Sequence, residues 1–419
     1  MSAPGRPKGE YRSAKHAGCL MNGHNVAIIG VGQTAFRSRH DDKTYPELAQ
    51  EAVVLALADS KLQPEQIDAV VFSMAQTTFM GVADADKWTV DYTWARGKPF
   101  MRVNSGGATG GSALQAAHAH IASGQYGTVL VVGADRITET PDAQFVLNLI
   151  WDPFYEQDFA LNTVTMTALA TQRYMHKYGT TEEQYANVVV RARRNALNNP
   201  SAHLKGAIDI AAVMASPRIA WPYKLFDICP RSAGAAAVVI SNETLARERC
   251  SRPAFITGTA GVANTVFMGD RMGPHADTDF ADYAELKQAA RECYRQAGIT
   301  DPMREIQAVE IYDPFSSFQF PQLESLGFCE SGTAQRLSDE GAFDMDGQLA
   351  VNPSGGTLCT HPIGVTGLVR AAEAARQVMG RAGAMQVPNV RNALATAIGG
   401  STQFFTVTML SDEPRRAAA

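Results

Sequence analysis

The chain has 419 residues, which exceeds one ordinary hydrophobic core, so two domains or a duplicated unit are expected. Its 45% hydrophobic and 19% charged residues are typical of a soluble globular protein, and the net charge of −5 gives no basis for nucleic-acid or membrane binding. No apolar run reaches the length of a membrane span.

The amino-terminal segment and the cysteines bear on cellular location. Residues 1–24 are basic but no apolar core follows, so we expect a disordered extension and not a secretory signal. The six cysteines form no CxxC pair and no zinc-ligand spacing, which indicates reduced thiols in the cytoplasm. We accordingly expect neither a metal nor a nucleotide cofactor in this chain.

The first elements alternate strand and helix. Residues 25–32 predict a strand, and the apolar spacing from Tyr45 to Leu62 predicts a helix. A second strand is predicted from Ile67 to Ser73. This alternation is typical of an α/β domain.

A glycine-rich stretch from Val103 to Ala117 dominates the next part of the sequence. Four glycines within six residues precede an Ala/Leu/Gln run, which predicts a tight loop that leads into a buried helix starting near Gly110. The continuous apolar run from Thr128 to Asp135 predicts a strand buried on both faces. The glycines lack the spacing of nucleotide-binding loops, and on their own they fit a close-packed turn equally well.

Residues 136–225 are rich in aromatic residues and prolines and predict a largely irregular insertion that covers a substrate site. One helix is predicted from Thr181 to Asn198, because it opens with the capping sequence Thr-Glu-Glu-Gln. This helix carries Arg191, Arg193 and Arg194. The arginines suit a phosphate-bearing ligand or a solvated helix face, and the second interpretation is favoured.

The pattern then repeats after about 240 residues, too long a period for a solenoid. Tyr45-Pro-Glu-Leu resembles Tyr283-Ala-Glu-Leu, and both segments lead into an Ile-x-Ala-Val strand. Asn104-Ser-Gly-Gly-Ala-Thr resembles Asn352-Pro-Ser-Gly-Gly-Thr, and the second copy precedes a helix starting near Gly364. We therefore predict two similar domains, residues 25–250 and 251–419, whose glycine loops meet at a pocket.

Three motifs resemble the thiolase superfamily, and the match covers about residues 25–410. Asn104 to Leu114 resembles the nucleophile loop N-x-x-C-A-T-G-x-x-A-L, Glu310 to Phe315 resembles E-x-H-D-C-F, and Gly355 to Gly367 resembles the G-H-P-x-G-x-[ST]-G loop. The chain is most similar to the sterol-carrier-protein type. The resemblance implies an α/β thiolase-like fold, with two duplicated βαβα-type domains in five layers, a loop insertion and a homodimeric assembly.

The departures from these motifs are informative. Gly107 stands where the family has its nucleophilic cysteine, Tyr312 replaces a histidine, and Pro314 replaces a cysteine. This combination resembles the thiolase-like aldolases that remove steroid side chains from CoA thioesters. That resemblance implies retro-aldol cleavage of a β-hydroxyacyl-CoA with a small OB-fold partner that would hold any zinc. The aldolases generally place a second tyrosine near the position of His361.

A retro-aldol reaction needs a base, an acid and a group that holds the enolate, but no covalent intermediate. His361 suits the base because imidazole titrates near neutrality. Tyr312, with an ordinary pKa near ~10, suits the acid, although the two roles stay open. Backbone N–H groups of Gly107 and Gly400 are candidates for the oxyanion pocket.

Three functions remain open at this stage. The first is a carbon–carbon lyase acting on a β-hydroxyacyl-CoA. The second is a thiolase with an atypical cysteine, for which Cys359 would be essential; we expect Cys359 and Cys229 instead to be packing residues. The third is a non-catalytic subunit that binds acyl-CoA, and the retention of His361 and the glycines argues against it.

Overall fold

The computed structural model describes residues 24–159, 161–272, 276 and 278–414. The predicted extension at residues 1–24 therefore lies outside the described residues, apart from its last position. Within the described part of the chain, no helix combines the length and apolarity that a membrane span requires.

The secondary structure follows the predicted alternation of strand and helix. The strands are β1 (Val26–Gln33), β2 (Ala69–Ser73), β3 (Phe100–Val103), β4 (Thr128–Arg136), β5 (Arg218–Ala220), β6 (Tyr223–Lys224), β7 (Ala233–Asn242), β8 (Ala254–Ala263), β9 (Ala308–Glu310), β10 (Ala350–Val351), β11 (Asn392–Gly399) and β12 (Phe404–Ser411). The helices are α1 (Tyr45–Ser60), α2 (Thr109–Ala122), α3 (Ala143–Asn148), α4 (Thr163–Tyr178), α5 (Glu182–Ala196), α6 (Ile210–Ala215), α7 (Glu243–Arg249), α8 (Ala284–Ala297), α9 (Pro302–Glu305), α10 (Gln319–Ser325), α11 (Ala334–Asp339), α12 (Gly356–Cys359) and α13 (Thr366–Met379).

The main sheet displays the duplication directly. Its strand order is β10-β9-β11-β12-β8-β1-β7-β4-β2-β3. From the centre outward, the first half has the order β1-β7-β4-β2-β3 and the second half has the order β8-β12-β11-β9-β10. If the strands of each half are numbered along the chain, both orders are first, fifth, fourth, second, third. The halves join where β1 pairs antiparallel with β8, at Ala27 with Phe255 and Ile28 with Ala254. The predicted repeat is therefore a structural duplication.

The helices complete a five-layer arrangement. Helix α1 packs on β1, β7 and β4, and α8 packs on β8 and β12. Helices α2 and α13 contact each other and strands of both halves, so they form the central layer. Glycine is required where they cross, because a Cβ at Gly110 would collide with the backbone nitrogen of Leu368. The predicted burial of these two helices at the centre is confirmed.

Local capping fixes the first turns of α1 and α5, and the cap of α5 was predicted from the sequence. At α1, the backbone N–H of Thr44 donates to the Glu47 carboxylate at 2.7 Å. At α5, Thr181 and Gln184 cap each other reciprocally over 3.1 and 3.3 Å. Each pair satisfies N–H groups that the first helical turn would otherwise leave without partners.

The insertion is more regular than predicted, because it contains α3 to α6 and the small β5–β6 pair. The prediction missed the 16 residues of α4. This helix is rich in threonine, a β-branched residue of low helix propensity. Its hydroxyls bond back along the helix, with Thr167 donating to Thr163 and Thr171 donating to Thr167, each at 2.8 Å. Tertiary packing of α4 therefore overrides its weak local preference.

Candidate active site

The glycine loop between β3 and α2 is held by its own side chains. Asn104 Oδ1 accepts a hydrogen bond from the backbone N–H of Gly106 at 3.1 Å, and the Thr109 hydroxyl donates to the Gly106 carbonyl at 2.6 Å. Gly106 has a φ of +63°, in the region that favours glycine. This geometry places Gly107 at the start of α2, facing a cavity.

Gly107 and Tyr312 are coupled by direct contact. A Cβ built on Gly107 would collide with the hydroxyl oxygen of Tyr312 and would lie 2.5 Å from the carbonyl oxygen of Ile398. The tyrosine hydroxyl therefore occupies the space that a side chain at position 107 would need. The two departures from the thiolase motifs depend on each other.

Tyr312 follows β9 and is held firmly by its backbone. Its N–H donates to the Thr396 hydroxyl at 3.0 Å, and its carbonyl accepts from Gln322 Nε2 at 2.7 Å. The ring is 5% exposed. Burial, followed by the nearby Cys229 and Asp135, raises the pKa of Tyr312 well above its usual value. The hydroxyl is therefore protonated at neutral pH.

His361 is positioned by two hydroxyl groups. Its backbone N–H donates to Ser232 Oγ at 3.0 Å, and its Nδ1 lies 3.0 Å from Thr366 Oγ1. The imidazole meets the Tyr312 ring edge-on, with centroids 5.5 Å apart and an interplanar angle of 84°. Burial and the positive charge of Arg370 lower the pKa of His361 to about 3. The imidazole is therefore neutral near pH 7.

Two buried carboxylates order the loop that carries His361. Glu310 accepts from the backbone N–H of Ser354 at 3.0 Å and pairs with Arg370. Asp313 accepts from the backbone N–H of Thr357 at 2.7 Å. Burial raises the pKa of Glu310 to about 7 and that of Asp313 to about 6.

A third buried carboxylate joins the two halves at the site. Asp135, at the end of β4, accepts from the backbone N–H of Ala75 at 3.0 Å and of Val365 at 3.1 Å. Val365 directly precedes α13. Asp135 therefore ties the end of β2 to the start of the central helix that follows His361.

One cavity of about 180 Å³ unites the predicted site residues. Gly107, Tyr312, His361 and Gly400 all line it. The two backbone segments touch, since a Cβ on Gly106 would stand 3.0 Å from the nitrogen of Gly400. The insertion forms an apolar wall that includes Ile137, Ala143, Leu147, Ile150, Val164 and Met166. The insertion therefore lines the same cavity as the predicted site residues, and that this cavity binds substrate stays a prediction.

The cysteines differ from expectation in one respect. Cys359 is fully buried, as expected of a packing residue. Cys229 was wrongly predicted to lie in the core, because it is partly exposed and lines the cavity. Its N–H donates to the Pro314 carbonyl at 2.9 Å, which brings it beside the segment that follows Tyr312. Burial raises the pKa of the Cys229 thiol, so this thiol is protonated at neutral pH.

The arginines of α5 occupy three different environments. Arg191 is buried and donates to Ser338 Oγ at 2.8 Å, so for this residue both sequence interpretations are wrong. Arg194 is exposed and pairs with Asp344 at 2.8 Å. Arg193 is half-buried and lies over the Phe226 ring. Only the face bearing Arg194 is the solvated helix face that was favoured.

Sequence reasoning also missed Arg231, which lines the cavity directly after Cys229-Pro230. The signal that could have identified it is a charged side chain inside an otherwise apolar segment that leads into β7. Among the described residues, no cluster of His, Cys, Asp and Glu has the form of a metal site.

Comparison with known proteins agrees with this architecture. The family description "Thiolase, N-terminal domain" matches residues 26–211, and "Thiolase C-terminal domain-like" matches residues 270–412. An acetyl-CoA acetyltransferase from Methanothermobacter thermautotrophicus is 32% identical over 379 residues, covering 90% of this chain and 97% of the relative.

Two further proteins carry lyase names. A 17-hydroxy-3-oxo-4-pregnene-20-carboxyl-CoA lyase from Mycobacterium tuberculosis is 31% identical over 390 residues, covering 89% of this chain and 96% of the relative. A solved structure described as "Ltp2-ChsH2(DUF35) aldolase" is 29% identical, with a TM-score of 0.78 over 92% of this chain and 97% of that chain. On its motifs, its fold and these similarities, the chain belongs to the thiolase family of enzymes.

Proposed function

We propose that this protein is a carbon–carbon lyase that cleaves a β-hydroxyacyl-CoA by a retro-aldol reaction. The observation that carries the proposal is the contact between Gly107 and the Tyr312 hydroxyl. Thiolysis needs a covalent acyl carrier at the tip of this loop. Here glycine offers no nucleophile, and a proton donor fills the vacant space. The similarity to an acyl-CoA lyase and to an aldolase supports the same reaction.

The proton transfers follow from the two side chains. The neutral imidazole of His361 accepts the proton of the β-hydroxyl group as the Cα–Cβ bond breaks. The electron pair of that bond moves into the thioester as an enolate, and the β-carbon leaves as a ketone or aldehyde. Tyr312 then protonates the enolate carbon, which yields the shortened acyl-CoA.

The pKa order resets the pair after each turnover. Burial lowers the pKa of His361 and raises that of Tyr312, so a proton moves from imidazolium to tyrosinate. Their rings are neighbours, with centroids 5.5 Å apart, and both line the cavity. No external acid or base is consumed.

The enolate oxygen needs donors that do not move during the reaction. The backbone N–H groups of Gly107 and Gly400 are our candidates, because both residues line the cavity and their loops touch. Removal of one such donor typically costs about 3 kcal/mol of transition-state stabilisation.

The acyl group proposed is bulky and apolar, as in a steroid side-chain CoA thioester. Apolar side chains from the insertion form one wall of the cavity, and the name of the lyase relative describes a steroid carboxyl-CoA. A cavity of about 150 Å³ holds a benzene ring. At about 180 Å³, this cavity has room for the reacting carbons and one ring.

We further propose a small OB-fold partner subunit that carries any zinc, together with homodimerisation of this chain. The aldolase neighbour's description names two components, Ltp2 and ChsH2(DUF35). Large apolar side chains are exposed along the stretch of chain that also contains the cavity-lining Leu147 and Ile150: Phe145, Leu149, Phe154, Tyr155 and Phe159.

Charge favours a different protein as the occupant of this apolar surface. Between Arg136 and Arg173 the sequence contains five acidic residues and no lysine or arginine. A second copy would bring acid against acid, whereas a partner with a basic rim would complement the surface. Light scattering of the chain alone measures the homodimer, and light scattering with the partner subunit measures the complex of the two proteins. Replacement of Phe154 and Phe159 by serine should weaken only the complex with the partner subunit.

Thiolase-type acyl transfer is the second candidate. The acetyl-CoA acetyltransferase relative and the position of Cys229 at the cavity both favour it. Against it stand the raised pKa of the Cys229 thiol and the burial of Cys359. A reactive cysteine normally has a lowered pKa.

One experiment distinguishes the lyase, the thiolase and the non-catalytic subunit. Purified protein, with and without its partner subunit, is incubated with β-hydroxyacyl-CoA or β-ketoacyl-CoA, in the presence or absence of free CoA. We expect a ketone or aldehyde from the β-hydroxyacyl-CoA at a rate independent of added CoA. Strict CoA dependence with an acyl-cysteine in the mass spectrum would establish the thiolase instead. Binding without turnover of either substrate would indicate the non-catalytic subunit.

A further inference from the structure

Arg231 is the only side chain with a permanent charge among the described residues that line the cavity. No aspartate or glutamate belongs to this lining, which is otherwise made of apolar side chains, hydroxyls, amides, Cys229 and His361. A single fixed positive charge in apolar surroundings strongly favours ligands that carry a negative charge.

Arg231 has no carboxylate partner within the described part of the chain, and its side chain is exposed at the cavity. Arg194 provides a contrast, because its guanidinium is compensated by Asp344 at 2.8 Å. Burial, and after it the positive charge of Arg193, lower the pKa of His203, which contacts the residue that follows Arg231. His203 Nδ1 lies 3.0 Å from Ser232 Oγ.

The backbone that carries Arg231 is fixed to both sides of the reaction centre. On one side, the Cys229 N–H donates to the Pro314 carbonyl at 2.9 Å, two residues beyond Tyr312. On the other side, the Ser232 N–H donates to the His361 carbonyl at 3.2 Å. Arg231 therefore stands between two anchors that each lead to a proposed proton-transfer residue.

We propose that Arg231 binds an anionic oxygen group of the substrate and thereby sets substrate specificity. This inference rests on the proposed function, in which the ligand is an acyl-CoA. Two groups share the required chemistry: a phosphate of the CoA moiety and a carboxylate on the acyl group. Either would pair with a guanidinium in charge-assisted hydrogen bonds, which are stronger than neutral ones.

The test measures binding by calorimetry, with ligands that cannot react. The first pair is CoA and pantetheine, which differ by the adenosine of CoA and the phosphate groups attached to it. The second pair is two S-alkyl pantetheine thioethers of equal length, one ending in a carboxylate and the other in a methyl group. The proteins compared are the full chain, Arg231→Met, Arg231→Lys and the control Arg194→Met, which also removes an exposed arginine.

We expect Arg231→Met to weaken the anionic member of one pair by about 10-fold or more and to leave its neutral counterpart unchanged. Arg231→Lys should recover part of that affinity, because lysine keeps the charge but loses the bidentate geometry. Arg194→Met should bind every ligand like the full chain. A loss confined to CoA that Arg231→Lys partly restores identifies a phosphate, and a loss confined to the carboxylate thioether identifies the acyl group.

Equal affinity of Arg231→Met and the full chain for all four ligands would overturn the proposal. Equal weakening of charged and neutral ligands would also overturn it, because the loss would then come from shape and not from charge. These measurements need no turnover, so they remain decisive even if cleavage of a β-hydroxyacyl-CoA is not observed.

Discussion

The two halves of the molecule share a topology but contribute differently to the site. After β9, the second half presents Tyr312; the repeat places Ser73 at the equivalent position after the first Ile-x-Ala-Val segment. Ser73 is buried and donates to the Gly364 carbonyl at 2.7 Å. The same place in the fold thus supplies a proposed acid in one half and a structural hydrogen bond in the other.

The glycine loops differ in the same way. The first loop passes directly into α2 and offers Gly107, which has no side chain. Between Asn352 and α13, the second loop contains the additional helix α12 and then His361. Both halves therefore share the scaffold, and the second half supplies both side chains to which we assign proton transfer. The first half contributes the candidate backbone donor Gly107 and the space that the Tyr312 hydroxyl occupies, while the second candidate donor, Gly400, belongs to the second half.

The largest expected effect is a fall in kcat when Tyr312 is substituted, compared with substitution of its counterpart Ser73 in the first half. Tyr312→Phe removes only the hydroxyl, so packing should survive while kcat for β-hydroxyacyl-CoA falls about 100-fold or more. The matched variant Ser73→Ala should lose about 1 kcal/mol of stability and retain its kcat. Steady-state kinetics and thermal unfolding of both variants provide the measurement. Equal loss of kcat in the two variants would remove the functional asymmetry.

The second prediction concerns Asp313, whose counterpart in the repeat is Met74. Burial raises the folded-state pKa of Asp313 to about 6, so the folded protein holds this proton more tightly than the unfolded chain. The resulting stabilisation is complete below about pH 4 and is lost as the pH rises through about 6; it amounts to something on the order of 3 kcal/mol.

Asp313→Asn should remove this dependence. The measurement is the difference in free energy of unfolding between the natural protein and the variant, from urea denaturation at pH 4 to 7. This subtraction cancels Glu310 and Asp135, which burial shifts in the same direction. A difference that stays constant across this range would show that Asp313 does not titrate there. Met74→Leu, at the position without a carboxylate, should give no slope.

A smaller effect tests the contact between the halves. Gly107→Ala introduces a Cβ against the Tyr312 hydroxyl and the Ile398 carbonyl, and overpacking of this kind costs about 1–3 kcal/mol. Tyr312→Phe removes the nearest of the three obstructing atoms and leaves the ring Cζ and the Ile398 carbonyl oxygen, so the double variant should be more stable than the sum of the single changes predicts. A double-mutant cycle of unfolding free energies measures this coupling. Strict additivity would mean that the two positions do not interact.

The duplication and the four proposed site residues could be predicted from the amino-acid sequence. Apolar periodicity and repeated motifs are local signals, and they survive in a single sequence. Their resemblance to thiolase motifs then assigned candidate roles to Gly107, Tyr312, His361 and Gly400. The structure adds that these residues share one cavity.

Other features could not be predicted, because they depend on contacts between distant segments. The threonine-rich α4 has weak local propensity, and its packing in the fold decides its conformation. The exposure of Cys229 depends on where Pro314 places it. The clash between a Cβ on Gly107 and the Tyr312 hydroxyl joins residues 205 positions apart, as 312 minus 107 shows. None of these contacts produces a periodic pattern in the amino-acid sequence.

The smallest expected effect is at Cys359, where the thiolase alternative would place the chemistry on the second loop. This thiol is buried without contact to the cavity, and burial raises its pKa to about 12, so no thiolate is present at neutral pH. Cys359→Ala should therefore cost about 1 kcal/mol of stability through lost packing, with kcat unchanged. Cys229→Ala should also retain activity, because the proposed reaction uses no thiol. Kinetics, thermal unfolding and mass spectrometry after substrate incubation decide the matter. An inactive but normally folded Cys359→Ala, or an acyl group recovered on either cysteine, would show that a cysteine acts as the nucleophile. Either result would contradict the lyase mechanism.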